Sequence, residues 1–175
     1  MKLTINGVER SFDTPPLTTL LHVLREELGI TSPKAGCQQG GCGSCTILVD
    51  GAPRRACLLP VAAIDGAEIT TLEGLGERES LSPVQAAFHN LYAAQCGFCT
   101  PGMVIAATAL IERKGGPVER DEVLEALSGH YCRCTGYVKI VDAVMAASRG
   151  EAGTVDDIPE VGEGEPEVVV KGSPA

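Results

Sequence analysis

Eight cysteines fall into two sets of four, and no other feature of this 175-residue sequence restricts its fold as strongly. Cys37, Cys42 and Cys45 share one short stretch, and Cys57 follows after eleven more residues. Cys96 and Cys99 form a CxxC pair, Cys132 and Cys134 a CxC pair, and 32 residues separate the pairs. The opening MKLTINGVER is polar by its sixth position and lacks the apolar core of a secretory signal. No later stretch approaches the ~18 apolar residues of a membrane span. The chain is therefore expected to be soluble and cytoplasmic. That compartment keeps thiols reduced, so metal binding explains eight cysteines better than a disulfide framework does.

The first set reads CxxxxCxxC with a distant fourth cysteine, the spacing of a plant-type [2Fe-2S] ferredoxin. Three thiolates from one tight loop must converge with a fourth from a neighbouring strand, and Gly36, Gly40, Gly41 and Gly43 give the loop the freedom it needs. Zinc knuckles favour CxxC pairs, so four residues between the first two ligands argue against zinc here. Ser44 reads as a small loop residue, and Lys34, Arg54 and Arg55 as a solvated rim. In the second set, each cysteine pair stands just before an expected helix, where the positive helix end suits an anionic cluster. No βαβ pattern surrounds Cys96, which argues against a thioredoxin-like site. From spacing alone, zinc stays open for this set.

Around the cysteines the texture changes once. Residues 1–12 alternate about Asn6-Gly7 as a β-hairpin, and leucines at 17, 20, 21, 24 and 28 follow at helical spacing. Thr46 to Val49, a turn at Asp50-Gly51 and residues 54–60 predict a second strand pair, and residues 67–73 one more strand. Ser82-Pro83 then opens a run of four helices, over 84–94, 102–113, 119–128 and 136–148. The fold class expected is α+β: a β-rich domain over 1–74, a linker over 75–81, a helical domain over 82–150 and an acidic Gly/Pro-containing tail over 151–175. The net charge is −9, but the tail carries seven acids and one lysine, which leaves −3 for residues 1–150. A nearly neutral body disfavours a nucleic-acid surface. No GxGxxG between strand and helix marks a nucleotide site.

The segments GCQQGGCGSCTILVDG at 36–51, QCGFCTPGM at 95–103 and CRCTGYVKIVDAV at 132–144, with Cys57 between, resemble the iron-sulfur small subunits of the molybdenum hydroxylases, the xanthine dehydrogenase, carbon monoxide dehydrogenase and aldehyde oxidoreductase family. The resemblance covers residues 1–150. It implies a β-grasp ferredoxin-like domain followed by a four-helix [2Fe-2S]-binding domain, with one cluster on Cys37, Cys42, Cys45 and Cys57 and the other on Cys96, Cys99, Cys132 and Cys134. It implies a molybdopterin, commonly the cytosine dinucleotide form, on a large subunit and FAD on a medium subunit, in a dimer of heterotrimers. Electrons would pass from molybdenum to the second set, then the first, then FAD, and Gln95 and Cys134 would lie beside the pterin. Such a chain has no catalytic residue of its own, and the substrate contacts lie on the large subunit.

His130-Tyr131 stands where many relatives carry Asn-Leu, and His130 is either a hydrogen-bond donor near the cluster or a satisfied or exposed histidine. His22 and His89 read as packing or surface residues. The tail could be a partner-docking strap. Two other readings stay open: a free ferredoxin-like shuttle, and a redox sensor or zinc-stabilised interaction module.

Overall fold

The computed structural model describes residues 1–77 and 79–153; the proposed tail strap lies outside them beyond Gly153. Its first half is a five-stranded mixed sheet of order β2-β1-β5-β3-β4, formed by β1 (Lys2–Ile5), β2 (Val8–Ser11), β3 (Thr46–Val49), β4 (Ala52–Arg55) and β5 (Glu68–Thr70). Two hairpins flank the central β5, which runs parallel to β1 and antiparallel to β3. Both hairpin turns place two residues at positive φ, Asn6 and Gly7 in one and Asp50 and Gly51 in the other. That geometry matches the strand twist and explains the Asn-Gly and Asp-Gly pairs.

The leucine-rich segment departs from the expected helix. Regular α-helix is confined to α1 (Leu20–His22), capped by the Thr19 hydroxyl, and continues as a π-helical turn over Val23–Glu27. Residues before it are pinned to the 59–62 strip, since Leu20 N–H donates to Leu59 O and Ala62 N–H to Pro16 O. Leu17 is consequently left exposed. Leu20, Leu21, Val23 and Leu24 do pack beneath the sheet with Leu3, Ile5, Ile47 and Ile69.

The second half contains α2 (Pro83–Asn90), α3 (Thr100–Lys114), α4 (Arg120–Leu127) and α5 (Val138–Ser148). Ser82 and Gln85 close a capping box on α2, and Glu119 and Glu122 close another on α4. Helix α3 is buried over every residue from Pro101 to Leu110. A helix buried all round must be central; one side of α3 meets the other helices, and Ile105 and Ala109 pack on Leu48 of β3. The halves come into close backbone contact at Gly102, where a Cβ would collide with the Gly43 carbonyl oxygen. A glycine is required there because the obstacle is backbone, which cannot step aside. No helix among the described residues is long and apolar enough to cross a membrane.

Candidate metal centres

Cys37, Cys42 and Cys45 lie on an irregular loop that leads into β3 and folds on its own backbone. Lys34 N–H donates to Ser44 O at 2.9 Å, and Thr46 N–H to Gly43 O at 3.0 Å. Within the loop, Gln39 N–H and Cys42 N–H both point at Cys37 Sγ, each at 3.4 Å. These donors, Gln39 first, lower the Cys37 thiol to about 7. Burial pushes the neighbouring Cys45 thiol up to about 11. Cys57 does not sit on a strand, as the spacing suggested. Strand β4 ends at Arg55, and Cys57 follows on a 3-10 turn over Ala56–Leu58, which turns it inward.

The loop's entry is fixed by a carboxylate. Glu73, just after β5, accepts from Ser32 N–H at 3.1 Å, from the Ser32 hydroxyl and from the Thr71 hydroxyl at 2.6 Å. Partial burial opposes its ionisation, yet these donors outweigh burial and hold the carboxyl below its ordinary range.

In the second set, Cys99 is the N-terminal cap residue of α3, as the sequence implied. Cys134 is farther from its helix than expected, because Thr135, Gly136 and Tyr137 intervene and Tyr137 caps α5 at φ 69°. Hydroxyls organise this segment. Tyr137 O–H accepts from Cys132 N–H at 2.8 Å and donates to His130 O at 3.1 Å, while the Thr135 hydroxyl lies 3.2 Å from Cys132 Sγ. Burial opposes ionisation of Cys132, but the Thr135 hydroxyl and N–H groups prevail and lower it. Burial, followed by the Cys132 thiol, pushes Cys99 up to about 12. Cys96 and Cys134 are exposed, with sulfurs 3.5 Å apart, and contact with Cys96 raises the Cys134 thiol. Gln95 is exposed beside them.

Both sets open onto one cavity of about 260 Å³, whose lining includes Cys37 and Cys42 from the first and Cys96, Cys99, Cys132 and Cys134 from the second. A backbone hydrogen bond joins the ligand segments directly: Tyr131 N–H donates to Cys42 O at 2.9 Å. Phe98 reaches toward Gly36 in the same gap.

Of the three predicted rim cations, Arg54 is exposed and Lys34 donates to Thr31 O at 2.8 Å. Arg55 is not rim: it is half-buried and donates to Gly129 O at 2.7 Å, across the boundary between the halves. His130 is buried and gives no hydrogen bond to a sulfur; its Nε2 lies 3.0 Å from Arg55 Nη1. Burial first, and then the Arg55 charge, lower its pKa to about 4. His22 and His89 are exposed.

All eight cysteines are free thiols, and each set offers four sulfurs. Among the described residues, no three His, Cys, Asp or Glu side chains are arranged to hold a single metal ion. A binuclear cluster asks for a wider cage than one ion does, with N–H groups directed at sulfur. The donor set and the N–H groups on Cys37 fit that demand.

A mixed sheet joined to helices, with cysteines of two four-membered sets lining one gap, is the arrangement of an iron-sulfur protein of the ferredoxin type. Residues 3–70 match the 2Fe-2S iron-sulfur cluster binding domain family, and residues 71–145 match the [2Fe-2S] binding domain family. The chain is 44% identical over 147 residues to the nicotinate dehydrogenase small FeS subunit of Eubacterium barkeri, covering 84% of this chain and 93% of that one. It is 43% identical over 149 residues to the aldehyde oxidoreductase of Megalodesulfovibrio gigas, covering 83% of this chain but only 16% of that much longer protein. The crystal structure of quinoline 2-oxidoreductase from Pseudomonas putida 86 contains a chain that superimposes with a TM-score of 0.79 at 47% identity, covering 86% of this chain and 96% of that one. The chain belongs to the iron-sulfur subunits of the molybdenum hydroxylase family, which are components of oxidoreductase complexes.

Proposed function

We propose that this chain is the electron-transfer subunit of a molybdenum hydroxylase, with a β-grasp domain over 1–74 and a four-helix domain over 82–150 each holding one [2Fe-2S] cluster. Cys37, Cys42, Cys45 and Cys57 hold the first, and Cys96, Cys99, Cys132 and Cys134 the second. When bound, each cluster supplies a one-electron couple between a molybdopterin on a large subunit, commonly the cytosine dinucleotide form, and FAD on a medium subunit. The observation that carries this reading is the shared cavity, which brings thiols from both sets to one gap bridged by the Tyr131–Cys42 hydrogen bond.

The roles of the chain's own residues follow from their exposure. Gln95, Cys96 and Cys134 stand at the surface and form the face offered to the molybdopterin partner, with Gln95 as a hydrogen-bonding group. Gln38, Gln39 and Gly41 surround Cys37 at the surface and form the face offered to the flavin partner. The assembly is a cytoplasmic dimer of heterotrimers. Anaerobic purification from the native host tests this. Metal and acid-labile sulfide analysis should return about four irons and four sulfides per chain, in a complex that also contains molybdenum and flavin. A monomer with four irons would favour a free shuttle, and colourless zinc protein would reject the cluster assignment.

A further inference from the structure

Arg55 stands two residues before the ligand Cys57, and its guanidinium reaches the opposite half of the molecule. Nη2 donates to Gly129 O at 2.7 Å, and Nη1 contacts both His130 Nε2, at 3.0 Å, and Thr46 Oγ1. Thr46 Oγ1 in turn donates to Gly43 O at 2.6 Å. Arginine only donates, so Nε2 of His130 must accept and its proton must sit on Nδ1. Arg55 Nη1 has one hydrogen for Nε2 and one for Thr46, and the single Thr46 hydrogen goes to Gly43 O. Thr46 Oγ1 also lies 3.0 Å from His130 Nε2, which closes the contact, while the Nδ1–H is buried with no hydrogen-bond partner among the described residues.

The knot binds two ligand-bearing segments to each other. Gly43 lies between Cys42 and Cys45; Gly129 and His130 lie just before Tyr131 and Cys132. Gly43 sits at φ 75°, and a Cβ there would meet His130 Cδ2 at 2.6 Å and Gly129 O at 2.7 Å, so the two loops are in direct backbone contact. The Tyr131–Cys42 hydrogen bond is the next link outward.

We propose that Arg55 is a positioning residue which, through His130 and Gly129, fixes the separation of the two cysteine cages and hence the electronic coupling between them. The inference rests on the two-cluster reading above. It makes His130 an acceptor for Arg55, in a contact between the halves, and no tuner of the neighbouring sulfurs.

Electron paramagnetic resonance of the fully dithionite-reduced full-length protein, in the complex it purifies with, tests the proposal. Two paramagnetic clusters held close split each other's signals, and the splitting falls steeply with distance. The native protein shows split signals; in Arg55→Met the splitting collapses while about four irons per chain remain. His130→Gln, whose amide oxygen replaces Nε2 as acceptor, keeps the splitting, and His130→Leu loses it. Should Arg55→Met fail to load iron, Arg55→Lys is read instead, because an ammonium lacks the rigid fork of two nitrogens that meets His130 Nε2 and Gly129 O separately, and its splitting is reduced. Unchanged splitting in the iron-loaded arginine variants, or two unsplit signals in the native protein, overturns the proposal and leaves the two-cluster reading intact. Fewer than two signals in the native protein would instead overturn that reading.

Discussion

The two cysteine sets face one cavity but are built by different means. The Cys37–Cys45 loop is held by its own backbone: N–H groups turn inward to Cys37 Sγ, and the loop closes on Ser44 and Gly43 carbonyls. The Cys132–Cys134 segment also turns the Thr135 and Cys134 N–H groups to Cys132 Sγ, but it adds side chains to them: the Thr135 hydroxyl at the sulfur and the Tyr137 hydroxyl between Cys132 N–H and His130 O. The first design needs glycines and tolerates many side chains; the second needs particular side chains and would feel single substitutions sharply. Each set reaches a core, Cys99 and Cys132 packing with Met103, Val141 and Val144, and Cys45 and Cys57 with Ile47 and Val61. The two halves meet along α3, so the question is how independent the two sets are.

Cys132→Ser gives the largest effect. It removes a ligand of the helical half alone, so iron should fall from about four to about two per chain and one of two paramagnetic signals should vanish. Loss of both signals would break the comparison, because the Tyr131–Cys42 bond and the Arg55 knot would then make the cages a single folding unit.

A second difference is chemical. In protein not yet loaded with iron, Cys37 at about 7 is largely thiolate at pH 7.5, while Cys45 and Cys99 at about 11 and 12 remain thiols. Iodoacetamide followed by mass spectrometry should show Cys37 labelled on the order of ten- to a hundredfold faster than either, since its larger thiolate fraction outweighs the lower nucleophilicity of a less basic thiolate. Because the Cys37 pKa is lowered, its labelling rate climbs to about pH 7 and levels off above it, whereas that of Cys45 and Cys99 is small at neutral pH and keeps climbing to about pH 11. Equal rates at Cys37 and Cys45 would mean that the Gln39 and Cys42 amides do not stabilise the thiolate.

Much of this arrangement was legible in the residues. Asn6-Gly7 and Asp50-Gly51 mark the hairpins through their demand for positive φ, and Ser82-Pro83 marks α2 through its cap. The cysteine spacing placed Cys37, Cys42 and Cys45 in a loop and Cys99 at a helix start, but set Cys134 too close to its helix. Contacts made only in three dimensions were not legible. Arg55 and His130 are 75 residues apart, and an arginine beside a glycine-rich loop looks like a rim charge until the helical half closes over it. The π-helical turn after Leu20–His22 was hidden because its leucines keep a helical spacing whether bonds run to the fourth or fifth residue. Tyr137 leaves only a faint signal in the sequence, a hydroxyl five residues beyond Cys132 in CRCTGY.

Tyr137→Phe sharpens the comparison on the side-chain-built set. It keeps the ring and strips the bonds to Cys132 N–H and His130 O, both partly buried. The cost should be about 1–2 kcal/mol in denaturant unfolding, and the paramagnetic signal of the second set should shift while that of the first stays in place. A shift of both signals equally would assign the tyrosine to the fold at large.

The smallest effect is expected at Glu73, a carboxylate that supports the backbone-built loop. Ser32 and Thr71 hold it below its ordinary range despite partial burial. A depressed carboxyl contributes stability that is complete above its unfolded value of about 4.3 and drains away as pH falls through the folded value. Glu73→Gln removes that contribution, so its unfolding midpoint should lie slightly below the native one at neutral pH and converge with it below about pH 4. The side chain faces solvent, and screening keeps the neutral-pH difference under about 1 kcal/mol. Because Ser32 leads into the Cys37 loop, the loss should loosen the first set alone, seen as faster release of its iron to a chelator at pH 7 than at the second set. Equal release from both sets would show that the Ser32–Glu73 contact stabilises the sheet without steadying the loop.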